Sequence, residues 1–207
     1  MYIPPAFRET DLPFIHETIR AAGLANLVTA TADGLMCTPL PWFLDEREGD
    51  MGTLYGHVAK ANPQWKAPPV GEAMAIFMGP DAYVTPSWYA GKSLDGKVVP
   101  TWNYMAVHAY GPVEFFENAD RLLDVVTRLT DRHEASRPRP WAVSDAPPEF
   151  IQAQLRGIVG VRLPITRIDA KRKMSQNRTP EDRVNVKAGL SESDDAREHQ
   201  VAALIAE

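Results

Sequence analysis

The sequence has little of what several large function classes require. Its 207 residues include one cysteine, Cys37, which excludes an internal disulfide and suits a reducing compartment. Cys37 has no CxxC partner, so it reads first as a small buried apolar side chain and only secondarily as a reactive thiol. No run approaches the ~20 apolar residues of a membrane span. The opening MYIPPAFRETD has neither a basic start nor an apolar middle, and a cytoplasmic protein is expected. The five histidines, His16, His57, His108, His133 and His199, are scattered without an HxxxH pair, which leaves metal chemistry without a ligand set. No serine lies in GxSxG, and neither GxGxxG nor a P-loop spacing occurs. The net charge of −5 and the lack of a helix-turn-helix pattern disfavour direct DNA binding. Any chemistry is therefore expected to come from a cofactor.

What is present is concentrated. Ala82 to Gly111 carries Tyr83, Trp88, Tyr89, Trp102, Tyr104 and Tyr110 beside Ser87, Lys92, Thr101 and Asn103. Each of these rings is apolar with a polar tip, and such rings fill a core only where the tip finds a partner. So many together suggest a wall for a flat ligand; the alternative is plain barrel packing. From Arg156 to Lys187 there are nine basic residues against three acidic ones, a local charge of +6 in an acidic chain. A field of that sign suits an anion such as phosphate, unless it is only a solvated face.

Along the chain, a helix is expected from about Leu12 to Gly23, with Thr10 as its cap and Leu12, Ile15 and Ile19 on one face. Leu24–Thr31, an Asp33-Gly34 turn and Leu35–Asp45 predict a hairpin whose second strand, with Pro39 and Pro41, lies at an edge. Thr53–Val58 is a third strand, followed by a turn opened by Asn62 and Pro63. The unbroken apolar run Ala73–Gly79 predicts a central strand covered on both faces. Trp102–Glu117 predicts one long strand bent at Gly111-Pro112. Asn118 caps a helix with Leu122, Val125, Val126 and Leu129 on one face, and Pro147-Pro148 opens another through Leu155. Ile158–Lys173 is a strand pair or one bent strand, and a terminal helix follows Ser191. Short strands with added helices and no βαβ alternation indicate a mainly β (α+β) antiparallel barrel with peripheral helices.

Three constellations could carry chemistry. GHVAKANPQW, Gly56 to Trp65, offers His57, Lys60 and Asn62 as donors in a short arc. PTWNYMAVH, Pro100 to His108, sets Thr101, Asn103 and Met105 on one strand face and Trp102, Tyr104 and Ala106 on the other. KRKMSQNR, Lys171 to Arg178, combines cations with amides suited to phosphate oxygens or heterocycle carbonyls.

These segments, with MYIPPAF at Met1, IFMGPDAYVTPSWY at Ile76, LT at Leu129 and PW at Pro140, closely resemble the PaiB-type FMN-binding negative transcriptional regulators. The similarity runs in order from the first residue to about Leu190; Lys60 stands where an arginine is frequent. The resemblance implies an FMN-binding split β-barrel of the flavin-reductase type over residues 1–190, with residues 191–207 a helical tail, and a homodimer with flavin between subunits. It assigns His57, Lys60 and Asn62 to the FMN region, completed by Thr101, Trp102, Asn103, Lys173, Ser175 and Gln176 from the same or the partner chain. Function is then expected to be that of a flavin-dependent redox or sensor protein, related to transcriptional regulators. Two alternatives stand beside it: an NAD(P)H-dependent flavin oxidoreductase that passes electrons from a nicotinamide without regulating anything, and a haem-binding split barrel with His57 or His108 as axial ligand.

Overall fold

The structure, a computed structural model, describes residues 1–206. Helix α1 (Leu12–Ala21) buries Ile15 and Ile19 on one face, as their spacing requires. The Glu9 carboxylate accepts from the N–H groups of Thr10 and Asp11 at its approach. Strands β1 (Ala25–Thr31) and β2 (Gly34–Leu40) form the expected hairpin, with Ala25 opposite Leu40 and Thr31 opposite Gly34. The connecting residues are Ala32 and Asp33, one position earlier than the dipeptide suggested. Gly34 opens β2 with a φ of 122°, a conformation that only glycine adopts cheaply.

The second strand stops at Leu40 instead of running on to Asp45, since Pro39 and Pro41 cannot donate to a ladder; β3 (Phe43–Asp45) lies in the other sheet and pairs antiparallel with β4 (Thr53–Ala59). Asn62 then caps a 3-10 turn over Pro63–Lys66, its side-chain oxygen accepting from the Gln64 N–H at 2.9 Å. Strand β5 (Ala73–Val84) is central, but it is not covered on both faces. Ala73, Ala75 and Phe77 are buried, whereas Met74 and Ile76 are half-buried and Met78 is exposed. A continuous apolar run hid an ordinary alternation.

After a 3-10 turn over Pro86–Trp88 and the short α2 (Gly91–Leu94), β6 (Thr101–Gly111) and β7 (Glu114–Phe116) replace the single bent strand expected there. They belong to different sheets. The strand ends at Gly111, where a Cβ would collide with the Pro164 carbonyl and only glycine fits, and Pro112 after it cannot donate to a ladder. Helix α3 (Ala119–Glu134) starts at Asn118, which accepts from the Arg121 N–H at 2.9 Å. Its Leu122, Val125 and Leu129 pack with Phe116 and with Leu155 of α4 (Pro148–Leu155). Each such burial contributes about 1.5–3 kcal/mol.

Strands β8 (Ile158–Pro164) and β9 (Arg167–Lys173) likewise go to different sheets instead of pairing with each other. Helices α5 (Pro180–Ser191) and α6 (Ala196–Leu204) pack together, with Val186, Leu190, Val201 and Ala202 buried. The expected terminal helix is α6.

The result is mainly antiparallel β with helices. One sheet runs β2-β1-β5-β6-β9 and the other β3-β4-β8-β7; neither closes into a barrel. The chain divides into a larger unit, Leu12–Phe77 with His108–Ile168, and a smaller one, Met1–Asp11 with Met78–Val107 and the chain from Asp169 onward. Among the described residues no helix is long and apolar enough to cross a membrane.

Candidate functional site

The smaller unit gathers most of the singled-out side chains. Lys171 and Lys173, two apart on β9, share a face. The Lys173 ammonium donates to Thr101 Oγ1 at 2.6 Å and to the Trp102 carbonyl. The Lys171 ammonium lies 5.0 Å from the Tyr104 ring centroid and donates to the Tyr2 carbonyl at 3.4 Å. Trp102 and Tyr83 meet edge to face, centroids 6.2 Å apart, and remain 52% and 45% exposed. Cations therefore stand beside rings that are only partly covered.

The partners of these lysines named above are rings, a hydroxyl and carbonyls, none of them charged. Burial, and then the nearby Lys171 and Arg178 charges, push the Lys173 pKa below the ordinary lysine value. Arg178 itself lies over the Tyr89 ring at 4.3 Å. A half-buried cation with cationic neighbours favours a bound anion.

Behind this ledge, Asn103 and Ser175 are buried and bonded reciprocally: Asn103 Nδ2 donates to Ser175 Oγ at 3.0 Å, and that hydroxyl faces Asn103 Oδ1 at 3.2 Å. Ser175 has a φ of 63°, the sole non-glycine residue in the left-handed region among those described. Gln176 straps the same turn, accepting from the Met174 N–H at 2.6 Å and donating to the Arg172 carbonyl at 2.5 Å. These three residues hold the end of β9 in place while Lys171 and Lys173 present charge.

The larger unit holds the other arc. Asn62 lines a groove of about 650 Å³ with Thr38, Cys37, Ala61 and Gln64. Asn62 Nδ2 donates to Thr38 Oγ1 at 2.9 Å, and that hydroxyl donates to Gln64 Oε1 at 2.5 Å. Gln64 is fully buried and reaches Thr29 and the Leu27 carbonyl with its other end. Cys37 is exposed rather than buried, contrary to the first reading of its sequence context. Lys60 turns away from this chain of bonds: its ammonium pairs with Glu117, and its carbonyl accepts from Trp65 Nε1 at 3.0 Å. His57 lines a different cleft, against α3.

The family described as "Putative FMN-binding domain" matches residues 1–167. The chain belongs to this FMN-binding family. It is 32% identical over 206 residues to protease synthase and sporulation protein PAI 2 of Bacillus subtilis, covering 99% of this chain and 96% of that protein. Solved structures of similar fold include the flavocytochrome Anf3 of Azotobacter vinelandii, TM-score 0.57 at 17% identity over 80% of this chain and 69% of that one. A conserved hypothetical protein of Mycobacterium tuberculosis matches with TM-score 0.57 at 12% identity, over 87% and 94%. At those identities the likeness is one of fold.

For an FMN-binding family the donor set is chemically suitable. Aromatic rings beside lysines meet a planar heterocycle and an anion, and the hydroxyl and amide groups of the groove meet carbonyl and hydroxyl oxygens. Tyr104 and Lys171 were visible in the aromatic stretch and the basic run but were not among the residues assigned to the flavin; Thr38 and Gln64 were not singled out. The spacing of Lys171 and Lys173 on one strand was a usable signal; the Thr38–Asn62–Gln64 chain joins segments 24 and 26 residues apart and had none. No group of three or more His, Cys, Asp or Glu side chains among the described residues is placed to hold a metal.

Proposed function

We propose that this protein is an FMN-binding flavoprotein with a redox or flavin-sensing role, in which the lysine ledge of the smaller unit recognises the anionic end of the cofactor. The observation that carries this reading is Lys173, a half-buried ammonium held by Thr101 and Trp102 and flanked by further cations. Lys171 adds charge on the same strand face, while Trp102 and Tyr83 offer ring surface. Within the larger unit, the groove at Asn62 offers hydroxyl and amide groups of the kind that flavin oxygens bind. When bound, FMN supplies one- and two-electron transfer; the chain supplies binding, orientation and charge.

We further propose a homodimer. Strand β2 is an edge of its sheet, and Leu35 near its start is 78% exposed, an arrangement that pairing with a second copy would cover. Direct contact with DNA is left out of the proposal because the net charge is −5. A regulatory effect of the kind implied by the resemblance would then run through flavin state or a protein partner.

The test is the absorption spectrum of the purified protein after incubation with FMN and gel filtration. The expected result is co-elution of a flavin spectrum that bleaches with a reduced nicotinamide. A colourless protein that also leaves FMN fluorescence unchanged in a titration rejects the reading.

A further inference from the structure

The cleft between β4 and α3 in the larger unit is used by nothing above. It has a volume of about 320 Å³ and is lined by Pro41, His57, Val126, Leu129, Thr130, His133, Glu134 and Trp141. That is the small end of ligand-pocket sizes, room for one or two rings. Leu129, Thr130 and Trp141, from two short motifs singled out in the sequence without a role, all line it.

The polar features of the cleft restrict what it could hold. His57 Nδ1 is buried and has no hydrogen-bond partner. A proton on that nitrogen would be a sealed donor without an acceptor, which is costlier than a sealed lone pair, so the proton belongs on Nε2. The ring lines the cleft and Nδ1 is sealed, so Nε2–H is the one polar group of the side chain left to offer a ligand. Burial also keeps the imidazole neutral, with its pKa below the ordinary histidine value. Pro41, Val126 and Leu129 form an apolar floor. Trp141 lines the cleft and is 45% exposed, and its backbone N–H donates to the Glu134 carboxylate at 3.0 Å. Glu134 in the lining and the lack of any Lys or Arg there oppose an anion, and an ammonium group has no lone pair to accept from His57.

We propose that this cleft is a second ligand site, taking a small uncharged planar ring whose carbonyl-type oxygen accepts a hydrogen bond from His57. The site is independent of flavin, and its test needs none. Nicotinamide is the probe, with benzoate as the anionic and benzylammonium as the cationic control, followed by NMR shifts of the Trp141 indole and the His57 ring. The proposal expects saturable shifts at both residues with nicotinamide and far weaker ones with either control. His57→Phe, which keeps an aromatic ring but removes the donor, should weaken binding about fivefold, the scale of one neutral hydrogen bond. Val126→Trp, a half-buried position whose larger ring fills the cleft, should abolish it with the imidazole intact. Tighter binding of a charged control, shifts confined to Cys37 and Asn62, or unchanged affinity in both variants overturns the assignment.

Discussion

Two residues state the balance of forces most clearly. Lys173 is positive and half-buried beside further cations, and His57 is neutral because charging it inside the cleft would cost solvation. The His57 reading can be checked without any ligand. An NMR titration should place its midpoint below the ordinary histidine value, with His133 and Glu134 of the same cleft followed alongside. The sign for stability follows: because folding lowers this pKa, the unfolded chain binds the proton more readily. The contribution is complete above the ordinary histidine pKa and is lost as pH falls through the folded value. A midpoint at or above the ordinary value contradicts the burial argument. The cations of the candidate site were visible in KRKMSQNR as a charge run. What the run could not show is which of its members face the aromatic side chains, since that depends on Lys171 meeting Tyr104 across 67 residues.

At the scale of elements, local signals performed well and pairing signals did not. The Asn118 cap, the α3 face, the β1–β2 hairpin and the Asn62 turn all follow from nearest-neighbour chemistry, and all are present. Whether β6 and β7 share a sheet, or β8 and β9 pair with each other, is decided by contacts such as Gly111 with Pro164, 53 residues apart. No window of ten residues contains that information. The one-sided burial of β5 was missed for a related reason, since an apolar run looks the same whether one face or both are covered. The helix start gives a direct check. Asn118→Ala removes the acceptor of the Arg121 N–H and should destabilise the protein by about 1 kcal/mol in a denaturant melt. An unchanged midpoint would show that solvent satisfies that N–H equally well.

For the whole molecule, an open pair of antiparallel sheets places an aromatic and lysine ledge in the smaller unit and a hydroxyl–amide groove in the larger one. The acidic net charge makes the ledge a local exception rather than part of a basic surface, so an anionic small molecule is a better match to it than a nucleic-acid backbone. Membership of the FMN-binding family agrees with that choice. The most direct measurement is an equilibrium titration of the wild-type protein and its Lys173→Ala variant with FMN, read by flavin fluorescence and accompanied by a melt to confirm that both are folded. The account predicts saturable binding by the wild type and a loss of about 10- to 100-fold in the variant, the scale of a hydrogen bond to a charged group. Equal affinity in two folded proteins, or no binding by either, would contradict it.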